Sequence, residues 1–245
     1  MSASEVPPDV DLTMLDDKNP QKTVPWKKVH RPIDILLLTV KECEFFSCLS
    51  YLNPGFCRSY HRPLGYVYFG DMGGDETVKL KIAVIQCSPG STVTKGSVVV
   101  VTKAIQILGP KAVFCVGFCG GLNNKKVKLG DVVISAKLIT YAPSKVTDSG
   151  VLERGVSVPL KTHLADLIRS AGYGWQPPLK DPKELEVKVR RDGVFLSGPE
   201  VVDSKERRDQ LIKRFPDAIA VEMEGEGKGF TLVQQKCLTN HCGGE

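Results

Sequence analysis

Apolar runs and amphipathic stretches alternate along most of this chain. The run at 33–40, IDILLLTV, is apolar at almost every position, which is typical of a strand buried on both faces of a sheet. Similar runs predict strands at 64–70, 78–87, 111–117, 131–139, 187–198 and 218–223. Length or helical spacing predicts helices at 91–109, 162–172 and 204–215.

Capping and turn residues mark the predicted helix ends. Ser91 or Thr94 is a candidate N-cap of the first helix, and Gly109 stands at its stop position. Asp203 and Glu206 fit a capping box for the third helix, which ends before Pro216. Because apolar strands alternate with helices, we predict an α/β fold with a mostly parallel or mixed central sheet, flanked by helices on both faces.

Charge and cysteine content exclude several classes of protein. The net charge is only +5, and the basic stretches at 125–128 and 190–191 carry no interleaved aromatics, so we predict no nucleic-acid partner. Eight cysteines without a Cys-x-x-Cys pair favour free, reduced thiols. The first residues lack a signal-peptide pattern, and the apolar runs are too short to cross a bilayer. We therefore predict a cytoplasmic protein without a membrane partner.

The predicted strand at 111–117 leads into a glycine-rich stretch, Gly117-Phe118-Cys119-Gly120-Gly121. Glycines at a strand end let backbone N–H groups approach a ligand closely. The spacing matches neither a dinucleotide fingerprint nor a P-loop. From the loop alone, a ligand site and a tight turn without a ligand remain equal alternatives.

Three acids, Glu222, Glu224 and Glu226, follow the apolar run at 218–221 on alternate positions. They would share one face of a continuing strand, and three buried like charges are costly, so we predict that the strand ends near Val221. At that rim, carboxylates can accept hydrogen bonds from ligand hydroxyls, and Met223 can lie against a flat ring. A solvated turn is the alternative interpretation.

Three motifs occur in a fixed order: VGFCGGLNNKKVKLGDVVIS, then GVFLSGPEVV, then FPDAIAVEMEGEG. In this order and at these separations they resemble the nucleoside phosphorylase and nucleosidase superfamily, over about 33–227. The resemblance implies cleavage of the N-glycosidic bond of a nucleoside, through an oxocarbenium-like transition state. It implies no cofactor, apart from inorganic phosphate as co-substrate if the chain is a phosphorylase.

The resemblance also assigns roles to particular residues. The acid-rich segment TVKECEFFSCL is similar to that of nucleosidases in which a glutamate activates water, and it favours water over phosphate as the acceptor. Glu44 is the best match for this glutamate and Glu42 the alternative, unless both are surface acids at a helix start. Glu224 would hold the ribose hydroxyls. The predicted substrate-binding residues are Phe118, Cys119, Gly120, Val201, Val202, Glu222 and Met223.

The chain departs from the family pattern after residue 227. Family members protonate the leaving purine with an aspartate at the end of a last core strand, whereas this sequence has no aspartate after Asp217. We predict that this strand and a closing helix are missing, and that activity is weak or absent. No geometric argument puts Glu226 in the aspartate's place. His241 between Cys237 and Cys242 lacks a second pair at zinc-finger spacing, so we predict no metal site.

These interpretations give a division of the chain into a flexible arm at 1–30, a nucleoside phosphorylase-like domain at 31–227 and an atypical tail at 228–245. The expected partners are a small-molecule nucleoside and either a second copy of the chain or an intact homologue. The alternative function is a non-catalytic module that binds nucleosides or mediates oligomerisation.

Overall fold

We analysed a computed structural model of the chain. The structure describes residues 8–12, 15, 22–52, 55–73, 79–90, 93–123, 125–142, 144–148, 150–153, 155–160, 162–170, 172–223 and 233–239. Within these ranges, none of the helices is both long and apolar enough to cross a membrane.

Each predicted strand and helix has a counterpart among the described residues. In the same residues, six further strands, at 22–23, 57–61, 144–147, 150–153, 157–159 and 233–239, and a further α-helix at 42–50 were not predicted. The strands are β1 Lys22–Thr23, β2 Ile35–Thr39, β3 Cys57–His61, β4 Gly65–Met72, β5 Leu80–Gln86, β6 Ala112–Gly121, β7 Val132–Thr140, β8 Ser144–Thr147, β9 Gly150–Glu153, β10 Ser157–Pro159, β11 Val189–Ser197, β12 Ala218–Glu222 and β13 Val233–Thr239. The α-helices are α1 Glu42–Ser50, α2 Ser97–Leu108, α3 Thr162–Ser170 and α4 Lys205–Arg214.

One mixed sheet of eleven strands organises the fold. Its order is β1-β3-β4-β5-β2-β6-β12-β11-β7-β10, and β13 pairs with both β6 and β7. Five strands of the sheet therefore form a closed ring of paired strands, in the order β6, β12, β11, β7, β13 and back to β6. Strand β12 runs antiparallel to β6 but parallel to β11. This reversal brings the carboxyl end of β12 alongside the second half of β6.

The core lies on both faces of the sheet, as the apolar run of β2 predicts. Leu36 and Leu38 pack with Val101 and other residues of α2, whereas Leu37 packs on the opposite face with Phe45 of α1. Alternate residues of a strand point to opposite faces, so a strand covered by helices on both sides must be apolar throughout. The predicted α/β class, with helices on both faces of the sheet, is confirmed.

The ends of several elements differ from the prediction. Helix α2 begins at Ser97 with Gly96 as its N-cap, so neither Ser91 nor Thr94 caps it, whereas Gly109 does end it in a left-handed conformation at φ 59°. Helix α4 is capped by Ser204, whose hydroxyl accepts the Arg207 N–H at 3.3 Å, so the prediction of Asp203 was wrong.

Parts of the predicted arm and tail pair with the sheet. Strand β1 pairs with β3, and the Trp26 ring lies 4.3 Å from the His61 ring, measured between centroids. Strand β13 lies in the predicted atypical tail, where the apolar pattern did not predict a strand, and it pairs with β6 and β7. The absence of the family's last strand and closing helix, and the three-part division of the chain, stay predictions.

Candidate active site

The second half of β6 forms the floor of the candidate site. We predicted that this strand ends at Gly117, but β6 continues to Gly121, where other strands pair with it. Strand β13 pairs with β6 up to Gly120, and β12 pairs antiparallel to its last two residues. The glycine-rich stretch is therefore strand, and its backbone is held in place before any ligand binds.

Glu44 is held against this strand by three backbone N–H groups. Its Oε1 accepts the Phe118 N–H at 3.0 Å, and its Oε2 accepts the N–H groups of Val40 at 2.9 Å and Lys41 at 2.8 Å. The side chain is only 9% exposed and occupies the first turn of α1, where the helix dipole favours a negative charge. The loop after β2 and the floor on β6 thus fix one carboxylate together.

Gly117 makes this arrangement possible. A Cβ atom at position 117 would lie 2.5 Å from Glu44 Oε1 and 2.8 Å from its Cδ, closer than real Cβ contacts allow. The Glu44 carboxylate therefore occupies the space that any other side chain at 117 would need. Sequence analysis assigned no role to Gly117, although a glycine one residue before a predicted ligand contact was a usable signal.

The hydrogen bonds leave one of the two Glu44 oxygens available. A carboxylate offers about four acceptor directions, two on each oxygen. Among the described residues, Oε2 accepts two N–H groups and Oε1 accepts one, so within that part of the chain Oε1 retains one direction. An ionised carboxylate in a fixed position with one free acceptor direction can orient a water molecule and take its proton. Burial raises the pKa of the neighbouring Cys48 to about 12, with a smaller effect from Glu44, so this thiol stays protonated.

Glu222 and Met223, at the end of β12, approach the glycine-rich half of β6. Ala220 pairs with Gly121 and Val221 with Gly120, and the two strands run antiparallel. Residues after Val221 therefore continue toward Cys119 and Phe118, whose N–H Glu44 accepts. The strand ends at Glu222, one residue beyond Val221, near which we predicted its end. Glu222 is only 4% exposed, so the alternative of a solvated turn does not hold for this residue.

The segments that follow β7 and β11 bring Tyr141 and Gly198 to this end of the sheet. The Gly198 N–H donates to the Glu222 carbonyl at 3.1 Å, and the Tyr141 N–H donates to the Ser197 carbonyl at 3.1 Å. The Tyr141 ring is 1% exposed, and burial, followed by the Glu200 charge, raises the pKa of its hydroxyl to about 12. Sequence analysis missed Tyr141, because a tyrosine after a strand carries no signal by itself.

The predicted site residues differ in exposure. Phe118 is 41% exposed and Val201 66% exposed, whereas Cys119, Gly120 and Val202 are buried. Glu42, the alternative to Glu44, is exposed. Glu224 and Glu226 lie outside the described residues, so the predicted ribose contact of Glu224 stays a prediction. Within the described ranges, no group of three or more His, Cys, Asp or Glu side chains could hold a metal ion.

Two curated relatives match the sequence. A death domain-containing ATP nucleosidase of Amphimedon queenslandica is 31% identical over 218 residues, covering 81% of this chain and 40% of the relative. A 5'-methylthioadenosine/S-adenosylhomocysteine nucleosidase of Staphylococcus epidermidis is 27% identical over 137 residues, covering 55% of this chain and 56% of the relative. The chain thus spans about half the length of these relatives.

Solved structures share the fold at lower identity. Futalosine hydrolase of Helicobacter pylori superimposes with a TM-score of 0.65 at 22% identity, covering 86% of each chain. S-adenosylhomocysteine nucleosidase of Streptococcus pyogenes gives a TM-score of 0.64 at 17% identity, covering 84% of this chain and 83% of the other. The family model of the phosphorylase superfamily matches residues 60–226, which is more than half of the chain. The chain belongs to the phosphorylase superfamily.

Proposed function

We propose that this chain binds a purine nucleoside and hydrolyses its N-glycosidic bond, with Glu44 as the general base. The fixed, buried Glu44 carboxylate with one free acceptor direction is the observation that carries the proposal. Both curated relatives, an ATP nucleosidase and a 5'-methylthioadenosine/S-adenosylhomocysteine nucleosidase, support the same class of reaction.

In the proposed reaction, water bound to Glu44 Oε1 attacks the anomeric carbon of the ribose. A carbon–oxygen bond forms, the carbon–nitrogen bond to the base breaks with its electron pair leaving on the base, and Glu44 takes the proton of the water. The ribose becomes positively charged in the transition state, so neighbouring carboxylates stabilise it. Glu222 would lie beside the sugar, with Glu224 on the ribose hydroxyls and Met223 against the ring.

The base would lie between the floor on β6 and the residues that follow β11. Phe118, Cys119 and Gly120 would border the base and ribose, and Val201 and Val202 would contact the base. The exposed Val201 side chain is free to meet a ligand, whereas Val202 can contribute mainly through its backbone because its side chain packs in the core. Apolar contact with a flat base suits this composition.

The departing base carries the electron pair of the broken bond and needs a proton. General acid catalysis of this kind contributes about 10²–10⁴-fold. No aspartate follows Asp217 in these 245 residues, and slow turnover by these residues is part of the proposal. Inorganic phosphate is the alternative acceptor, and it would give a sugar phosphate in place of the free sugar.

Release of free base from a panel of purine and pyrimidine nucleosides, with and without phosphate, tests the proposal. Hydrolysis predicts free sugar at a rate independent of phosphate, whereas phosphorolysis predicts sugar phosphate and no reaction without phosphate. A parallel calorimetric titration with each nucleoside detects binding without turnover. Binding with no base release would exclude catalysis and favour the non-catalytic module. The absence of both binding and base release would refute the proposal.

The proposal includes a partner chain and a cytoplasmic location. A second copy or an intact homologue is the proposed partner, and sedimentation of the purified chain alone and mixed with a full-length relative tests this. A monomer under both conditions would refute the partner without affecting the catalytic proposal.

A further inference from the structure

The residues between β11 and α4 present Val201, and they are fixed from two sides. We define residues 198–202 as the 198–202 loop. On its inner side, Tyr141 packs against Gly198: a Cβ atom at 198 would lie 2.6 Å from both Cε1 and Cζ of the ring. Gly198 also donates its N–H to the Glu222 carbonyl, so the first residue of the loop is held by two contacts.

On its outer side, the loop is held by a bidentate ion pair between Glu200 and Arg207. Glu200 Oε2 accepts from Arg207 Nε at 2.7 Å, and Oε1 accepts from a second guanidinium nitrogen at 2.9 Å. Arg207 belongs to the first turn of α4, so this contact ties the loop to the helix. The planar guanidinium matches both carboxylate oxygens, and a lysine ammonium does not reproduce that geometry.

Arg207 also joins the outer contact to the inner one. Its guanidinium carbon lies 5.8 Å from the centroid of the Tyr141 ring, within the range of a cation–π contact. Glu200, Arg207 and Tyr141 come from three separate elements, yet each contacts at least one of the others. We name these three residues the loop clamp.

We propose that Arg207 is a positioning residue that, through the loop clamp, sets the place of Val201 and with it the specificity for the base. This inference rests on the proposed function, since it assumes that Val201 meets the base. Val202, 5% exposed, packs with Tyr141 and Leu211 and anchors the far end of the loop, so the clamp decides the position of the segment between two fixed points.

The energetics separate this role from simple stabilisation. The side chains of Arg207 and Glu200 are 33% and 42% exposed, and ion pairs at such exposure contribute at most about 1 kcal/mol to folding. Loss of the clamp should therefore leave global stability almost unchanged. A loop displaced by about 1 Å, in contrast, loses much of its complementarity to a bound base.

The test is Arg207→Lys, which keeps the charge and removes the bidentate contact. Arg208→Lys is the matched control, because it is the same substitution one residue along α4. Among the described residues, the Arg208 side chain forms no ion pair. We expect Arg207→Lys to weaken nucleoside binding by about tenfold, equivalent to about 1.4 kcal/mol, with kcat and Tm unchanged. Hydrogen–deuterium exchange of residues 198–202 should rise in Arg207→Lys and not in Arg208→Lys.

The outcomes distinguish the clamp from the proposed function. Faster exchange with weaker binding supports the inference. Unchanged exchange, or faster exchange with unchanged affinity, overturns it. If the unmodified chain binds no nucleoside, the proposed function fails and the assigned specificity role with it, while the exchange data still decide whether the clamp orders the loop. A lower Tm of Arg207→Lys that accompanies its weaker binding would overturn the positioning role, because it would indicate a general structural contribution.

Discussion

Gly117→Ala should displace the Glu44 carboxylate without altering the backbone of β6. The backbone of Gly117 is not in the left-handed region, so alanine can adopt it, and removing glycine from a strand by itself stabilises by about 0.4–1 kcal/mol. The three nearest atoms to the new methyl group all belong to the Glu44 carboxylate, the closest at 2.5 Å. The clash is therefore with one side chain.

The expected cost follows from what Glu44 must give up. If the carboxylate moves, the buried Phe118 N–H loses its acceptor, and an unsatisfied buried group of this kind costs about 1–3 kcal/mol. Stability should fall, and the rate of base release should also fall, by about 10²–10⁴-fold, because the proposed general base would be displaced. Urea unfolding and single-turnover base release measure the two effects.

A double-mutant cycle isolates the contact. In a Glu44→Ala background the methyl group meets no carboxylate, so Gly117→Ala should be neutral or slightly stabilising there. The coupling energy between the two positions should then be about 1–3 kcal/mol. An equal cost of Gly117→Ala in both backgrounds would refute the reasoning, because the penalty would then come from the strand and not from Glu44.

Three further predictions concern stability. Asp131→Ala should cost about 3–5 kcal/mol in urea unfolding, because this fully buried carboxylate accepts two backbone N–H groups and the Arg190 Nε at 3.1 Å; nucleoside affinity should persist. Tyr141→Phe should change stability little at pH 7, because among the described residues the hydroxyl makes no hydrogen bond of normal geometry and only a weak one to the Glu200 backbone. It should reduce the stability loss between about pH 10 and 12, where the unfolded chain releases this proton and the folded chain retains it. The Lys111 ion pair at 2.6 Å and the Lys81 N–H lower the pKa of Asp34, so the stability that Asp34 contributes should be lost as pH falls below about 4, and Asp34→Asn should flatten that loss in acid unfolding curves.

Apolar patterning predicted the buried strands and failed at the polar edge. Strand β2 is covered on both faces, so its sequence had to be apolar throughout. Strand β3, CRSYH, was missed because it lies near the edge of the sheet, where exposed Tyr60 and half-buried Arg58 carry no strand periodicity. Its pairing with β4 and β1 is a tertiary effect that a local pattern does not contain.

The motif resemblance predicted residues for the candidate site but not their geometry. The motif resemblance indicated Glu44, and the structure distinguishes it from the exposed Glu42. The sequence did not predict that three backbone N–H groups hold the Glu44 carboxylate. This arrangement depends on where β6 lies relative to α1. The reversal of β12 against β6, which brings Glu222 toward Cys119, likewise depends on strand order alone.

The most direct test of the account compares Glu44→Gln with Glu42→Gln in single-turnover release of base from a purine nucleoside. The two substitutions remove the same charge two residues apart on α1, one buried against Phe118 and one exposed. We predict that Glu44→Gln lowers the rate by about 10²–10⁴-fold and that Glu42→Gln leaves it unchanged. Equal rates for the unmodified chain and Glu44→Gln, or no release by the unmodified chain, would contradict the assignment of Glu44 as the general base.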